Sequence, residues 1–463
     1  MNRYKKLLGN SAIFAVGSLG SKLISFLLVP FYTFVLTKEQ FGTVDLITTT
    51  VNMMLPIVTL SVFDAVFRFV LDKNGTENMV FINGLFISCL GSFVGLLLIP
   101  VLHFFNIPMP EYIYLLLITG AFLSLMLNFT RSINKVKTFA IAGILGTIIT
   151  AVSNLVLLLI INMGIKGYLI SIILANIIVL VFLIISTKAW ARIRINNLNK
   201  KMIHSMVIYS LPLIPNAFSW WINSSADRYF ILAFVGASAN GVYAVASKIP
   251  TVLNIINQIF FQSWQMSAVE EFNSEDASKF YSKTFNYFLA FQFIGMAGLL
   301  VILKPLMKII VSSSYYISWK YIPFLLLAVV YSSLSGFLGT TYTAAKRTTG
   351  VFLTTVVGAI SNILLGFIFV PWLGIQGASF AGCLSFAIVL IVRLIDTKKF
   401  MPIILDRKGF IFNHVIISVM IIVLFLSVGF VLEQIIELLL FFVIIMANRY
   451  LFLEIWNIQK NKK

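Results

Sequence analysis

The sequence predicts an all-α polytopic membrane protein of about 14 transmembrane helices. Three observations carry that expectation: an extremely apolar composition, apolar stretches of spanning length along the whole chain, and a lopsided distribution of basic residues. The chain has 463 residues, 60% of them hydrophobic and only 11% charged, with a mean hydropathy of +0.99. Soluble domains carry about a quarter charged residues. A chain this apolar cannot cover a water-facing surface, so its solvent is largely lipid.

A bilayer core of about 30 Å needs roughly 20 apolar residues in helical form. Such stretches fall at 11–36, 41–70, 79–102, 112–130, 138–162, 167–187, 204–235, 241–268, 284–303, 319–345, 350–370, 375–395, 410–431 and 434–456. They are continuous rather than alternating, which selects helices over barrel strands. The basic start (Arg3, Lys5, Lys6) followed by an apolar stretch has the look of a secretory signal. The stretch runs past Pro30 without a small-x-small cleavage site, so an uncleaved first helix is the expectation.

The net charge of +18 follows from the positive-inside rule and not from a nucleic-acid partner. With both termini cytoplasmic, 25 of the 34 Lys and Arg residues fall inside, and five fall outside: Lys38, Lys166, Lys304, Lys308 and Lys320. The remaining four lie within spans. Cys89 and Cys383 both sit in spans, as packed thiols without a disulfide role.

The basic connection from Lys188 to Lys201 divides the chain near its middle, and a second, Arg393 to Lys408, sets off the last two spans. The expected organisation is therefore two pseudo-symmetric six-helix lobes, residues 1–200 and 201–400, followed by two further helices and a tail in 401–463. Internal similarity supports it. Asn154 precedes Gly164-Ile165-Lys166-Gly167, and Asn362 precedes Gly374-Ile375-Gln376-Gly377, each between the fifth and sixth spans of its half. Glycine suits such turns because it accepts positive φ. A second match pairs Phe41-Gly42-Thr43-Val44 with Asn240-Gly241-Val242-Tyr243. Parallel six-span repeats typically enclose a central cavity used for alternating access.

No phosphate-binding G-x-x-x-x-G-K-[ST] loop is present. His103, His204 and His414 lack metal-ligand spacing, and no nucleophile–base pair stands out, so no catalytic residue, metal site or cofactor is expected. The acidic run Glu270, Glu271, Glu275 and Asp276 reads as a solvated connection.

The informative residues are the ionisable ones within spans: Lys22, Asp45, Asp64, Arg68, Asp227, Arg228 and Lys248. A charge at mid-helix costs about 2.5–3.5 kcal/mol on insertion scales. These groups must pair, snorkel or line a wet cavity. Lys22 lies roughly 16 Å into its span at 1.5 Å per residue, too deep to snorkel. Asp64 and Arg68 are four apart and share a helix face. Asp227 and Arg228 point about 100° apart. Lys248 is within snorkelling reach, and Asp45 lies near a span end. Corresponding spans of both halves carry basic charge, which attracts an anionic substrate. Substrate contact is thus expected of Lys22, Arg68, Arg228 and Lys248, with Asp45, Asp64 and Asp227 tuning them or coupling to an ion. Asn216, Asn223, Ser224, Ser225, Asn254, Asn257 and Gln258 serve interhelical hydrogen bonds or one polar wall. Trp220, Trp221 and Trp264 read as packing aromatics.

The stretch Asp227-Arg228-Tyr229-Phe230-Ile231-Leu232, Gly236, and Gly241-Val242-Tyr243-Ala244-Val245-Ala246-Ser247-Lys248-Ile249 resembles the seventh and eighth helices of Wzx-type polysaccharide flippases. So do Ala344-Ala345-Lys346-Arg347, the run from Asn362 to Ala378, and the opening from Gly9-Asn10-Ser11 to Phe41-Gly42. The resemblance covers essentially the full length. It implies the multidrug/oligosaccharidyl-lipid/polysaccharide exporter superfamily, with two six-helix lobes in a V-shape. It further implies a cytoplasmic (inner) membrane flippase that moves polyprenyl-pyrophosphate-linked oligosaccharide, with a polysaccharide polymerase as a partner. The alternatives are an ion-coupled antiporter of organic cations or a lipid II flippase. The latter's first span carries several arginines where this chain has only Lys22. A non-transporting scaffold has no evident use for charges in its spans.

Overall fold

The computed structural model describes residues 20–22, 24–71, 76–104, 107–345, 347–426 and 429–451. The N-terminal basic cluster, the start of the first span, Lys73, Lys346, and Lys460, Lys462 and Lys463 lie outside the described residues.

In chain order the helices are α1 (Gly20–Val35), α2 (Lys38–Val58), α3 (Val62–Leu71), α4 (Glu77–Gly95), α5 (Leu98–Phe104), α6 (Pro110–Ser132), α7 (Val136–Asn154) and α8 (Gly164–Thr187). A π-helical turn, Leu155–Ile160, extends α7. Then follow α9 (Lys200–Ser210), α10 (Leu213–Ser225), α11 (Asp227–Phe234), α12 (Ala237–Ala246), α13 (Lys248–Glu271) and α14 (Ala277–Ile310). After a 3₁₀ segment, Ser313–Tyr321, come α15 (Ile322–Ala344), α16 (Thr348–Leu373), α17 (Ile375–Thr397), α18 (Arg407–Phe425) and α19 (Phe430–Ala447).

Among the described residues, 12 helical segments are long and apolar enough to cross a membrane. They correspond to all the expected spans except the first and the seventh. The first is described only from Gly20 onward. The seventh, expected as one helix over 204–235, is three pieces: α9, α10 and α11. Proline explains the first break. Pro212 and Pro215 have no N–H, so the carbonyls of Ile208 and Leu211 lose their helical donors.

Three more expected spans are interrupted. The third breaks at Leu96 and Leu97, between α4 and α5. The second breaks between α2 and α3, where Leu60 and Ser61 take positive φ (50° and 51°), four residues past Pro56. The eighth breaks at Ser247, where Pro250 leaves the Ala246 carbonyl without its helical donor.

The G-I-x-G turns behave as their glycines require. Gly164 and Gly374 sit at φ +54° and +59°, a region that penalises any side chain. The second glycine of each turn lets the chain pass close to the preceding segment. A Cβ at Gly167 would lie 3.2 Å from the Leu157 carbonyl oxygen, and one at Gly377 would lie 2.1 Å from that of Phe369.

The chain forms two compact units, Met1–Trp221 and Ile222–Lys463. The first has a core of Val62, Val66, Phe81, Leu125, Phe129 and Met206, from α3, α4, α6 and α9. The second is held partly by rings: Trp264 stacks on Phe337 with centroids 4.3 Å apart and donates to the Thr340 hydroxyl at 2.7 Å. Trp264 is thus a packing residue, as expected. Asn257 joins three helices by donating to Gln292 and Ser333 (3.2 and 2.6 Å). The outward surface is apolar, with Phe93, Ile160, Ile309, Trp372 and Val431 each more than two-thirds exposed. In water such a surface would associate, whereas in acyl chains it is the stable one.

Candidate functional site

The expected charges gather at helix interruptions. Asp227 is the first residue of α11, Lys248 the first of α13, and Asp64 the third of α3. An acid in a first turn is favoured by the partial positive charge of the exposed N–H groups there. Broken helices are tolerated at membrane depth only where protein or a wet cavity receives the freed backbone groups.

Asp227 organises the most complete of these sites. It is only 4% exposed, and ionised carboxylates are not left bare at that depth. The Tyr243 hydroxyl of α12 donates to its Oδ2 at 2.9 Å, and the Asn362 amide of α16 donates to its Oδ1 at 3.3 Å. Arg228 is the charged neighbour of this carboxylate. It places its guanidinium 5.7 Å from the centre of the Tyr243 ring and donates to the Ser224 carbonyl at 3.4 Å. Tyr243 therefore touches both members of the Asp-Arg pair, by its hydroxyl and by its ring. Lys248 begins the helix after α12 and is half-buried.

The first unit has a counterpart. The Asn154 amide, at the end of α7, donates to the Tyr32 hydroxyl of α1 at 2.9 Å. The Tyr32 ring also meets that of Tyr168 of α8 edge-on at 4.9 Å. In both units, then, an asparagine from the fifth span reaches the first span. The sequence comparison found the two asparagines but not their partners, which lie 122 and 135 residues away.

The other expected residues are more scattered. Lys22 and Asp45 are half-buried, in α1 and α2. Asp64 has Arg131 of α6 as its charged neighbour, and Arg131 also lies over the Phe67 ring at 4.5 Å. Arg68, in the last turn of α3, is exposed. Trp221 donates to the Thr49 carbonyl at 3.0 Å and stacks on Phe218, a packing role, while Trp220 is exposed. The acidic residues Glu270, Glu271, Glu275 and Asp276 are exposed, as expected of a solvated connection. Cys383 is buried, whereas Cys89 faces outward; neither forms a disulfide.

Several buried charges escaped the sequence reading. Arg393, counted with a basic connection, lies inside α17 and is 3% exposed. It donates to Thr354, Thr355 and the Ser335 carbonyl at 2.9 to 3.0 Å, clamping α15, α16 and α17 together. Lys304, counted with an outer connection, lies inside α14 and forms an ion pair with Glu433 of α19 at 2.7 Å. Glu437 is buried one turn further along α19. The i,i+4 spacing of Glu433 and Glu437 in an otherwise apolar stretch was the available signal. Among the described residues, no group of three or more His, Cys, Asp or Glu side chains forms a metal site.

Residues 7–265 match the polysaccharide biosynthesis protein family, which is more than half of the chain. No curated protein sequence matches it. The fold is similar to that of the lipid II flippase MurJ in its inward closed conformation, with a TM-score of 0.68 at 16% identity over 95% of this chain and 100% of that one. It is similar as well to an inward-facing multidrug resistance MATE family transporter of the MOP superfamily (TM-score 0.70, 12% identity, 86% of this chain and 95% of that one). A MOP superfamily transporter from Pyrococcus furiosus is a third relative, with a TM-score of 0.60 at 13% identity over 89% and 95%. The spans and the family match together give the assignment: the chain is a multi-pass membrane protein of the polysaccharide biosynthesis protein family, with a fold like that of MOP-superfamily transporters.

Proposed function

We propose that the protein is a flippase that moves polyprenyl-pyrophosphate-linked oligosaccharide across the cytoplasmic membrane by alternating access, for cell-surface polysaccharide biosynthesis. Family membership over residues 7–265 is the observation that carries this reading. The interruptions support it. The second and eighth spans occupy corresponding places in the two halves, and both are broken, the second beside Asp64 and the eighth at Lys248. Paired interruptions of this kind are the usual mark of a binding region in transporters built from repeats.

In this reading Lys22, Arg228 and Lys248 hold the pyrophosphate, with Arg68 next, and Asp45, Asp64 and Asp227 tune those cations. The polyprenyl tail stays in lipid while the headgroup crosses. In the same reading, the three-piece segment from α9 to α11 and the first helix, described from Gly20 onward, complete 14 spans, arranged as six, six and two with both termini cytoplasmic. Lys22→Ala removes a charge-assisted contact of about 1.5–3 kcal/mol, roughly 10- to 150-fold in headgroup affinity. Export should be lost while the protein stays inserted, with lipid-linked oligosaccharide accumulating on the inner leaflet. Full export by Lys22→Ala would remove this site from the proposal.

A second reading, an ion-coupled exporter of organic cations, draws on Asp227, a buried acid in a MATE-like fold. Overexpression that raises resistance to cationic drugs, with no effect on glycan export, would select it.

A further inference from the structure

The outward-facing helix α19 hides its acids. Its apolar side chains point outward, and Val431, Leu439, Phe442 and Met446 are all well exposed. Its inward face is Glu433, Glu437, Ile444 and, just past its end, Asn448, a repeat of four and seven residues that defines one side of a helix. Glu433 is 3% exposed and Glu437 0%.

Lys304 of α14 donates to Glu433 Oε2 at 2.7 Å and lies over the Trp319 ring at 4.4 Å. Glu433 Oε1 and both carboxyl oxygens of Glu437 meet no hydrogen-bond partner among the described residues. The charged groups around Glu437 are Glu433 from its own helix and Lys304 from α14. The 3₁₀ segment Ser313–Tyr321 brings Tyr316 near Glu433. From α18 the facing polar residue is Asn413, which pairs with Asn448 (3.2 and 2.8 Å), while His414 is taken up by Tyr331 and the Phe410 carbonyl.

Two carboxylates against one ammonium leave one excess negative charge in a buried site. Burial of that kind is tolerated only if the charge is removed. We propose that Glu437 is a proton-binding carboxyl that, with Glu433 and Lys304, forms a proton-coupling site between α14 and α19. In the loaded state a proton taken from hydronium forms an O–H bond on Glu437, and the trio is neutral. Releasing that proton to water leaves one uncompensated charge between the two helices. It is relieved only by admitting water or parting α19 from α14, and this ties protonation to conformation. Glu437 lies roughly 10 Å along α19 from its N-terminal end at 1.5 Å per residue. With both termini cytoplasmic, that end is the outer one, from which protons enter. A bound sodium ion is disfavoured because Lys304 already occupies Glu433 and would repel it.

The site stands on its own geometry, and only its coupling role rests on the transporter reading. Infrared spectra of the full chain in lipid nanodiscs at neutral pH count its protonated buried carboxyls. Relative to the wild type, Glu437→Gln should lose one. Glu433→Gln should also lose one, because Lys304 then neutralises the remaining acid. Lys304→Met should gain one, since both acids must then be neutral. An unchanged count in both glutamine variants, or a count set by sodium rather than by pH, overturns the site.

In proteoliposomes, translocation of a fluorescent polyprenyl-pyrophosphate-linked N-acetylhexosamine should be accelerated by an imposed pH gradient. In Glu437→Gln that acceleration should vanish while gradient-free exchange persists. An undiminished gradient response in Glu437→Gln overturns the coupling role even if the proton count holds. Absence of any translocation by the wild type instead sinks the flippase reading, and the proton count still decides the site.

Discussion

The two units solve one packing problem with different chemistry. In each, an asparagine from the fifth span crosses to the first. In the first unit Asn154 finds a phenol, Tyr32, itself an uncharged partner packed on the Tyr168 ring. In the second, Asn362 finds a carboxylate, Asp227, which also needs the Tyr243 hydroxyl. Neither asparagine's Oδ1 meets a protein partner among the described residues. A neutral group that loses a partner loses one modest hydrogen bond. A buried charge that loses one is left short of solvation. The difference teaches that the first unit's group is a rivet, whereas the second's is a poised charge whose neighbours must be held in place.

The largest expected contrast lies at the turns that follow these asparagines. Gly377→Ala drives a Cβ into the Phe369 carbonyl, so the backbone must move. About 3 kcal/mol should be lost, against about 1 kcal/mol for Gly167→Ala, whose nearest neighbours stand 3.0 to 3.2 Å away. Unfolding midpoints in detergent measure both, and equal losses would show that the second turn relaxes freely.

The asparagines themselves come next. Asn362→Leu should cost about 2–3 kcal/mol because its partner is charged. Asn154→Leu should cost about 0.6 kcal/mol, the average for hydrogen bonds between membrane helices. If Asp227 is first replaced by Leu, the penalty of Asn362→Leu should shrink to the neutral value. A penalty that survives that replacement would mean the amide packs rather than solvates.

The smallest contrast is between the tyrosines. Tyr243→Phe should cost about 1.5 kcal/mol and Tyr32→Phe about 0.6 kcal/mol. Tyr243→Phe keeps the ring under Arg228, so glycan export should fall less in it than in Arg228→Ala. The reverse order would put the hydroxyl, and not the guanidinium, in charge of transport.

Much of the fold was legible because lipid imposes strong rules on sequence. Every spanning backbone must satisfy itself, so length and hydropathy give the helices. The interruptions were partly legible too. Pro212, Pro215 and Pro250 stand where the seventh and eighth spans break, yet hydropathy averages run across them. Nothing comparable marks Leu60 and Ser61, whose positive φ belongs to the packed structure. Among the charges, position along the chain misled for Arg393 and Lys304. Both stand near the ends of their spans, where snorkelling to water is the common outcome. Each instead finds buried partners on other helices: Thr354, Thr355 and Ser335 for Arg393, Glu433 for Lys304.

The linear sequence by itself determined the solvent, the order of the helices and the glycine turns, because each depends on composition or on spacing within one segment. Which polar groups meet was decided only by tertiary structure. A helix presents the same charge to lipid, to water or to a partner according to how it is rotated against its neighbours. That rotation is set by contacts such as Asn362 with Asp227, or Lys304 with Glu433, between residues 135 and 129 positions apart.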